Sequence, residues 1–306
     1  MTSSTLSASQ PAAIRWHPIV VRYAPIFVVV VAIIVLWYVG AILMNRNIVR
    51  GEFERSDTPY TTGELIAGTL NAERPLLPAP HQIIETFAED VFGWPVTSPR
   101  SLVYHSWVTL SATFIGFVMG ALFGIFLAVL IVHARTLEKS LLPWIICSQM
   151  VPILAVAPIV IVVLGSIGLR GLLPKSLISA YLCFFPVTIG VVKGLTSPDL
   201  IQLDLMRTWS ASRSQVFWKL RWPSGIPFLF TSLKVSITIS LIGAIVAELP
   251  TGAQAGLGAR LLAGSYYGQT IQIWAALVAA SLLAVGLIGL VSLTERWVGE
   301  AMGARP

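Results

Sequence analysis

The chain has 306 residues, of which 56% are apolar and 11% charged, and its formal net charge is +6. Soluble domains carry about 25% charged residues, and one core could not hide this much apolar surface, so a water-soluble globule is excluded and lipid must be the solvent for much of the chain. Cys147 and Cys183 both fall in apolar runs, where thiols act as small hydrophobes, so neither a disulfide framework nor a metal site is expected.

Six apolar runs reach the roughly 20 residues that a spanning helix needs: about 24–44, 106–132, 141–164, 176–195, 228–249 and 271–293. The expectation is an all-α polytopic membrane protein, with a tail over 1–23, a transmembrane body over 24–298 and a second tail over 299–306. The first run is too long for a cleaved signal peptide, and no small-residue cleavage site follows "WYVGAILMNRN". Lysine and arginine in the loops set the orientation. With both termini inside, 12 of the 20 bases fall inside and 8 outside. Five of the outer eight sit in one long loop, about 45–100, which also holds Glu52, Glu54, Asp57, Glu64, Glu73, Glu85, Glu89 and Asp90. The loop at about 197–226 therefore faces the cytoplasm.

In the outer loop, residues 45–75 are polar, rich in Gly, Thr and Glu, and without a motif. "LLPAPHQIIETFAEDVFGW" after them reads as a proline-led amphipathic helix along the outer membrane surface. Ile83, Ile84, Phe87, Val91 and Phe92 make its apolar stripe, with Glu85, Glu89 and Asp90 opposite. The second span carries Gly116, Gly120 and Gly124 at four-residue spacing, which lets another backbone approach closely. The row suits packing within the subunit or a seam between subunits. Pro143, Pro152 and Pro158 interrupt the third span and Pro186 the fourth. Each frees a carbonyl and bends the helix, either structurally or to shape a pathway. Polar groups inside spans are costly unless they face protein or water. Ser148, Gln149 and the adjacent Met150, then Tyr181, Thr188, Ser236, Thr238 and Ser240 are accordingly the candidates to line a translocation path, interhelical hydrogen bonding being the other reading. Glu248, near the outer end of the fifth span, either meets an outside protein or braces the loop that holds Gly256 and Gly258.

Between the fourth and fifth spans lies "DLMRTWSASRSQVFWKLRWP", residues 204–223, with one acid, four bases and three tryptophans. Ser197 and Pro198 predict the start of a short helix that ends near Thr208. Ser212 and Gln215 predict a capping box that opens a second short helix, which stops before Pro223. Leu205, Trp209, Val216, Phe217 and Leu220 form an apolar ridge, with Arg207, Arg213, Lys219 and Arg221 around it. Something must bury that ridge: anionic lipid headgroups or a protein partner.

This stretch resembles the EAA loop of binding-protein-dependent ABC importer permeases of the nitrate/taurine/sulfonate type. The family loop reads approximately D-A-A-R-T-L-G-A-S-R, then F-x-K, then L-P, with a second proline four residues on. Here Asp204, Arg207, Thr208, Ala211, Ser212, Arg213, Phe217, Lys219, Pro223 and Pro227 stand at matching positions. "LLPAP" at 76–80, "VPILAVAPIVIVVLGSIGL" at 151–169, "FFPVTIGVVKGL" at 184–195, "LIGAIVAEL" at 241–249 and "GLG" at 256–258 are similar to further family stretches in the same order. The chain departs from the loop pattern at Leu205, Met206, Ser210 and Trp222, where bulkier groups imply a partner groove shaped to match, or weaker coupling. The resemblance implies a type I ABC importer permease, non-catalytic itself, paired with a second copy or a paralogue in a bacterial inner membrane. An external or periplasmic binding protein would deliver a small solute. A cytoplasmic ATPase dimer would seat the loop as a coupling helix through Asp204, Arg207, Trp209, Ser210, Ala211, Ser212, Phe217, Lys219 and Pro223. ATP and Mg would be held by that partner, since the chain contains no G-x-x-x-x-G-K-[ST]. Nucleic acid has no place in this reading. A membrane enzyme would need clustered ionisable groups, but His17, His81, His105 and His133 are scattered and no HExxH occurs. A secondary transporter driven by an ion gradient is the remaining alternative, and it would need charge at mid-membrane, where these spans have almost none.

Overall fold

The computed structural model describes residues 18–250 and 255–303. Most of the expected tail 1–23, with Arg15 and His17, lies outside the described residues, as do residues 304–306 of the second tail. All regular structure among the described residues is helical. The chain divides into two units, residues 1–81 and 82–306.

The first unit is a long helix that turns back on itself. α1, Pro18–Arg55, has 38 residues, about 57 Å at 1.5 Å per residue, against a hydrocarbon thickness of about 30 Å. The excess carries helix into the polar region after residue 45. A turn with Asp57 at φ 49° leads to α2, Thr62–Leu70. Thr61 and Glu64 form the capping box of α2: the Thr61 N–H donates to Glu64 Oε2 at 2.7 Å and the Glu64 N–H to Thr61 Oγ1 at 3.3 Å. Val49, Phe53, Tyr60, Leu65 and Ala72 make a small core. Asn45 pins the returning chain. It is fully buried, its Nδ2 donates to Thr69 O (3.2 Å) and Leu77 O (2.9 Å), and its Oδ1 accepts from the N–H groups of Leu76 (2.8 Å) and Leu77 (3.3 Å). One side chain thus satisfies four backbone groups, one at the end of α2 and three in the loop that follows it. The motif-free stretch 45–75 is this hairpin.

α3, Pro80–Phe92, is the predicted proline-led helix. Within the second unit Phe87 and Val91 pack against Leu102, Leu257 and Ala276, while Ile84 and Phe92 stay exposed. Asp90 does not lie on a solvent face as the stripe suggested. It is buried and accepts from Arg260 Nη2 at 3.1 Å.

The body of the second unit is α4 (Leu102–His133), α7 (Leu172–Leu195), α10 (Trp222–Glu248) and α12 (Thr270–Ala301). α7 lies between α4 and α10, and the contacts are made by absent side chains. A Cβ on Gly116 would stand 2.6 Å from Ser176 O, one on Gly120 2.7 Å from Ala180 O, and one on Gly124 2.7 Å from Phe184 O. On the other side a Cβ on Gly194 would meet Gly225 Cα at 2.9 Å, and one on Gly243 would meet Ser179 Cα at 2.9 Å. In lipid no hydrophobic force draws helices together, so close backbone approach supplies the packing. The glycine row is therefore spent inside the subunit on α7, and is not a seam between subunits.

The expected third span, 141–164, is two helices. α5 (Arg135–Ser148) and α6 (Ile153–Ser166) meet at a 93° bend. The break falls at Gln149–Pro152. Pro152 has no N–H to give α5, and it disfavours helical backbone at Val151. Pro143, Pro158 and Pro186 lie inside helices that continue past them. Among the described residues five helices are long and apolar enough to cross a membrane, or six spans if the bent pair counts as one.

Candidate functional site

The α7–α10 connection is built from short, well-capped pieces. α8, Leu200–Thr208, starts from Asp199, whose N–H donates to Gln202 Oε1 at 3.1 Å. The expected cap, Ser197, instead donates to Gly194 O at 2.7 Å and closes α7. α8 ends in a turn where Ser210 takes φ 51° and the Ala211 N–H reaches Met206 O at 3.0 Å. Left-handed backbone favours glycine, and position 210 is the one at which the resembled loop has it. The predicted capping box is present: the Ser212 N–H donates to Gln215 Oε1 (2.8 Å) and the Gln215 N–H to Ser212 Oγ (3.3 Å). It opens α9, Arg213–Val216. This helix does not stop before Pro223. A π turn over Phe217–Arg221 sends the Trp222 N–H five residues back to Phe217 O, and the helix runs on into α10 with Pro223 in its first turn. There the proline's missing N–H falls where the widened turn has already shifted the ladder.

The predicted ridge splits in two. Phe217 is 8% exposed and sits in the core formed by Ala128, Val187, Val191 and Leu195, with the His133 ring 5.0 Å away between centroids. The chain's own helices, and not a partner, bury it. The exposed half lies on α8, which has no buried residue, and on Trp209, which caps its C-terminal end. Ile201, Leu205 and Trp209 follow one another at four-residue spacing, and Trp209 is 73% exposed. Around them Arg207 Nη1 holds Asp204 Oδ1 at 2.8 Å on the surface. Ser212, Lys219 and Pro223 are exposed, and Ala211 is half-buried.

The path candidates also separate. Thr188, Ser236 and Ser240 are fully buried. Thr188 donates to Phe184 O (2.8 Å) within α7, and Ser240 donates to Thr113 O (2.9 Å), tying α10 to α4. All three are enclosed by the helices of this subunit. Half-buried Thr238 donates to Lys234 O at 3.3 Å. Ser148, Gln149 and Met150 lie at the α5–α6 bend, where the Tyr181 hydroxyl donates to Ser148 O and satisfies a carbonyl that the break frees. Met150 is exposed.

A polar knot closes the opposite end of the same helices. α7 and α10 are antiparallel neighbours, so Lys175 at the head of one meets Glu248 at the tail of the other. Lys175 Nζ donates to Glu248 Oε1 (3.2 Å) and to Ala255 O (2.9 Å). Glu248 Oε2 accepts from the Thr109 hydroxyl (2.9 Å) and from the Gly258 N–H (3.0 Å). The Leu257 N–H donates to Thr109 Oγ1 (2.8 Å) and the Gly256 N–H to His105 Nδ1 (3.0 Å). Glu248 thus braces the loop leading to α11, Leu257–Tyr267. At Gly256, with φ 123°, a Cβ would collide with its carboxylate. Beside the knot, burial pushes the Asp90 carboxyl up from the usual range, an effect that Arg260 partly offsets. Sequence reading passed over Lys175, His105 and Thr109. Its available signal was the antiparallel order of two spans, each with a charge at the matching end. It also passed over the ion pair of Lys234 with Glu295, which joins α10 to α12.

Beside the knot a cavity of about 740 Å³ opens between Tyr104, Trp107, Val108 and Ser111 of α4, Ile161 and Gly165 of α6, Arg170 to Leu172, Pro174 and Lys175, and Ala247, Pro250 and Ala255. No group of three or more metal-ligating side chains occurs among the described residues.

Comparison with known proteins agrees with this layout. Two solved transporters share the fold. One is an amino acid ABC transporter crystallised with histidines, with TM-score 0.54 and 16% identity over 64% of this chain and 92% of that one. The other is the MetNI methionine ABC transporter in an inward-facing form, with TM-score 0.52 and 18% identity over 65% and 95%. The riboflavin transport system permease protein of Chloroflexus aurantiacus is 30% identical over 72% of this chain and 78% of its own length. The formylaminopyrimidine transport permease protein of Halalkalibacterium halodurans is 31% identical over 60% and 68%. The taurine transport system permease protein of Escherichia coli is 27% identical over 76% and 84%. The family model for "binding-protein-dependent transport system inner membrane component" matches residues 120–302. A bundle of apolar helices with a capped basic loop at one end and a matching family model over most of its length belongs to one class: this chain is a member of the binding-protein-dependent ABC transporter permease family.

Proposed function

We propose that this permease subunit imports a small organic solute across a bacterial inner membrane, powered by a separate ATPase that seats α8. The observation that carries the reading is the exposed stripe of Ile201 and Leu205 on a helix with no buried residue, continued by Trp209 at its C-cap. Four-residue spacing keeps the three on one helical face, and an apolar face of that kind on the basic end of a membrane protein needs a cover. Phe217 locks the base of the loop to the α4–α7 core, so a push on α8 would be passed to the spans rather than absorbed. ATP and Mg belong to the ATPase, a second permease copy or paralogue completes the pathway, and an external binding protein delivers the solute. The family and the names of the similar permeases support this assembly. An ion-driven transporter would need an ionisable group free to exchange its ion, whereas Glu248 is engaged by Lys175, Thr109 and Gly258.

The test is co-purification. Leu205→Glu and Trp209→Glu should each strip the ATPase from the chain while membrane levels stay normal, since a charge in a dry groove is strongly unfavourable. Unchanged recovery of the ATPase with both variants would overturn the proposal. Loss of binding to anionic vesicles instead would point to lipid as the cover.

A further inference from the structure

We infer that the cavity beside the knot is a recognition site for a monoanionic solute with a flat or apolar body, and that Arg170 is the group that reads its charge. The inference rests on the permease reading and adds the solute's chemical class. A volume of about 740 Å³ lies within the ordinary range for small-molecule sites, about 300–1,000 Å³. Its lining carries two cations, Arg170 and Lys175, and no carboxylate. The two are not equivalent. Lys175 is already committed to Glu248 and Ala255 O, so its charge is neutralised within the protein. Arg170 is exposed and has no ion-pair partner among the described residues. Gly168 at φ 85° and Gly171 at φ 76° flank it, so it stands in a turn whose left-handed backbone favours glycine.

The cavity therefore offers one uncompensated positive charge. Apart from Ser111, its other side chains are apolar or aromatic, among them Tyr104, Trp107, Val108, Ile161 and Ala247. A monoanion matches that charge. A dianion would leave one charge unpaired against these walls, a neutral solute would forgo the guanidinium, and a cation would be repelled. Indole and phenol faces suit a flat or apolar body. The cavity lies at the head of α7, about 30 Å along the helix from Leu195 at the basic loop, which is where a solute would enter before any movement of α8.

The test uses the full-length chain in phosphatidylcholine nanodiscs, equilibrium dialysis, and empty nanodiscs as the blank. Naphthalene-sulfonate, naphthalene-methanol and naphthalene-disulfonate serve as the monoanionic, neutral and dianionic probes. The monosulfonate should bind best. Arg170→Gln should weaken it by about three- to fivefold at low salt, the modest size reflecting an exposed charge, and the difference should shrink as salt rises. Naphthalene-methanol should be unaffected by Arg170→Gln, and Trp107→Ala should weaken both probes. Equal binding of the monosulfonate and the alcohol, tighter binding of the disulfonate, or an Arg170→Gln variant identical to the parent would each overturn the site. ATPase co-purification, measured on the same samples, separates the two claims. Recruitment without anion preference removes only the site, and an Arg170-dependent preference without recruitment removes only the importer assembly.

Discussion

Truncating Phe217 and Trp209 to alanine should separate folding of the loop from its use. Both are large aromatics eight residues apart on one segment, and they differ in where their surface goes. Phe217 is 8% exposed among Ala128, Val187, Val191 and Leu195. Its removal forfeits about 1.5–3 kcal/mol of burial and leaves a cavity between α4, α7 and the π turn, for a total of about 3–5 kcal/mol. Trp209 is 73% exposed, and removing an exposed side chain with no cap or core role changes stability by less than about 0.5 kcal/mol. The assay is thermal unfolding of each purified variant in detergent micelles, read by loss of the monodisperse size-exclusion peak, with ATPase recovery from the same membranes. Phe217→Ala should unfold many degrees earlier. Trp209→Ala should match the parent in stability yet retain less ATPase. The reasoning fails if Phe217→Ala unfolds with the parent, or if Trp209→Ala is destabilised as strongly, because the division of the ridge into an anchor and a free face would then be false.

Ser210→Gly should stabilise the loop by about 1 kcal/mol, since the left-handed backbone at φ 51° is strained for an L-residue; slower amide exchange over 204–216 is the readout. Glu248→Ala leaves Lys175 without its acid and two further donors, the Thr109 hydroxyl and the Gly258 N–H, without their acceptor, and should destabilise by about 3–5 kcal/mol; the double variant Glu248→Ala/Lys175→Met should recover part of that loss in the same unfolding assay. Hydrogen bonds from the Thr61 backbone and hydroxyl hold the Glu64 carboxyl below its usual range. A depressed acid stabilises the fold above its unfolded pKa and stops doing so as pH falls through the folded value. Protection of the α2 amides should therefore drop in acid, and Glu64→Gln should flatten that pH dependence.

Composition alone determined that the chain lives in lipid, and run length placed each long helix to within a few residues of its core, because a hydrocarbon slab imposes both apolarity and length. Local chemistry was equally legible where it is strictly local. The Ser212–Gln215 box forms as read, and the unusual backbone at Ser210 falls where the resembled loop keeps glycine. What sequence could not decide was partnership across the fold. Phe217 and Trp209 look alike in the chain, and only the approach of α4 and α7 buries one of them. Gly116, Gly120 and Gly124 advertise close contact without naming the helix that makes it. Thr188, Ser236 and Ser240 suit a path or an interhelical contact alike in the sequence, and only the packed helices show that all three are enclosed. Lys175 and Glu248 are 73 residues apart, and they meet because α7 and α10 run in opposite directions. Period and propensity act over a few residues, whereas burial and ion pairing depend on which surfaces the packed helices bring face to face.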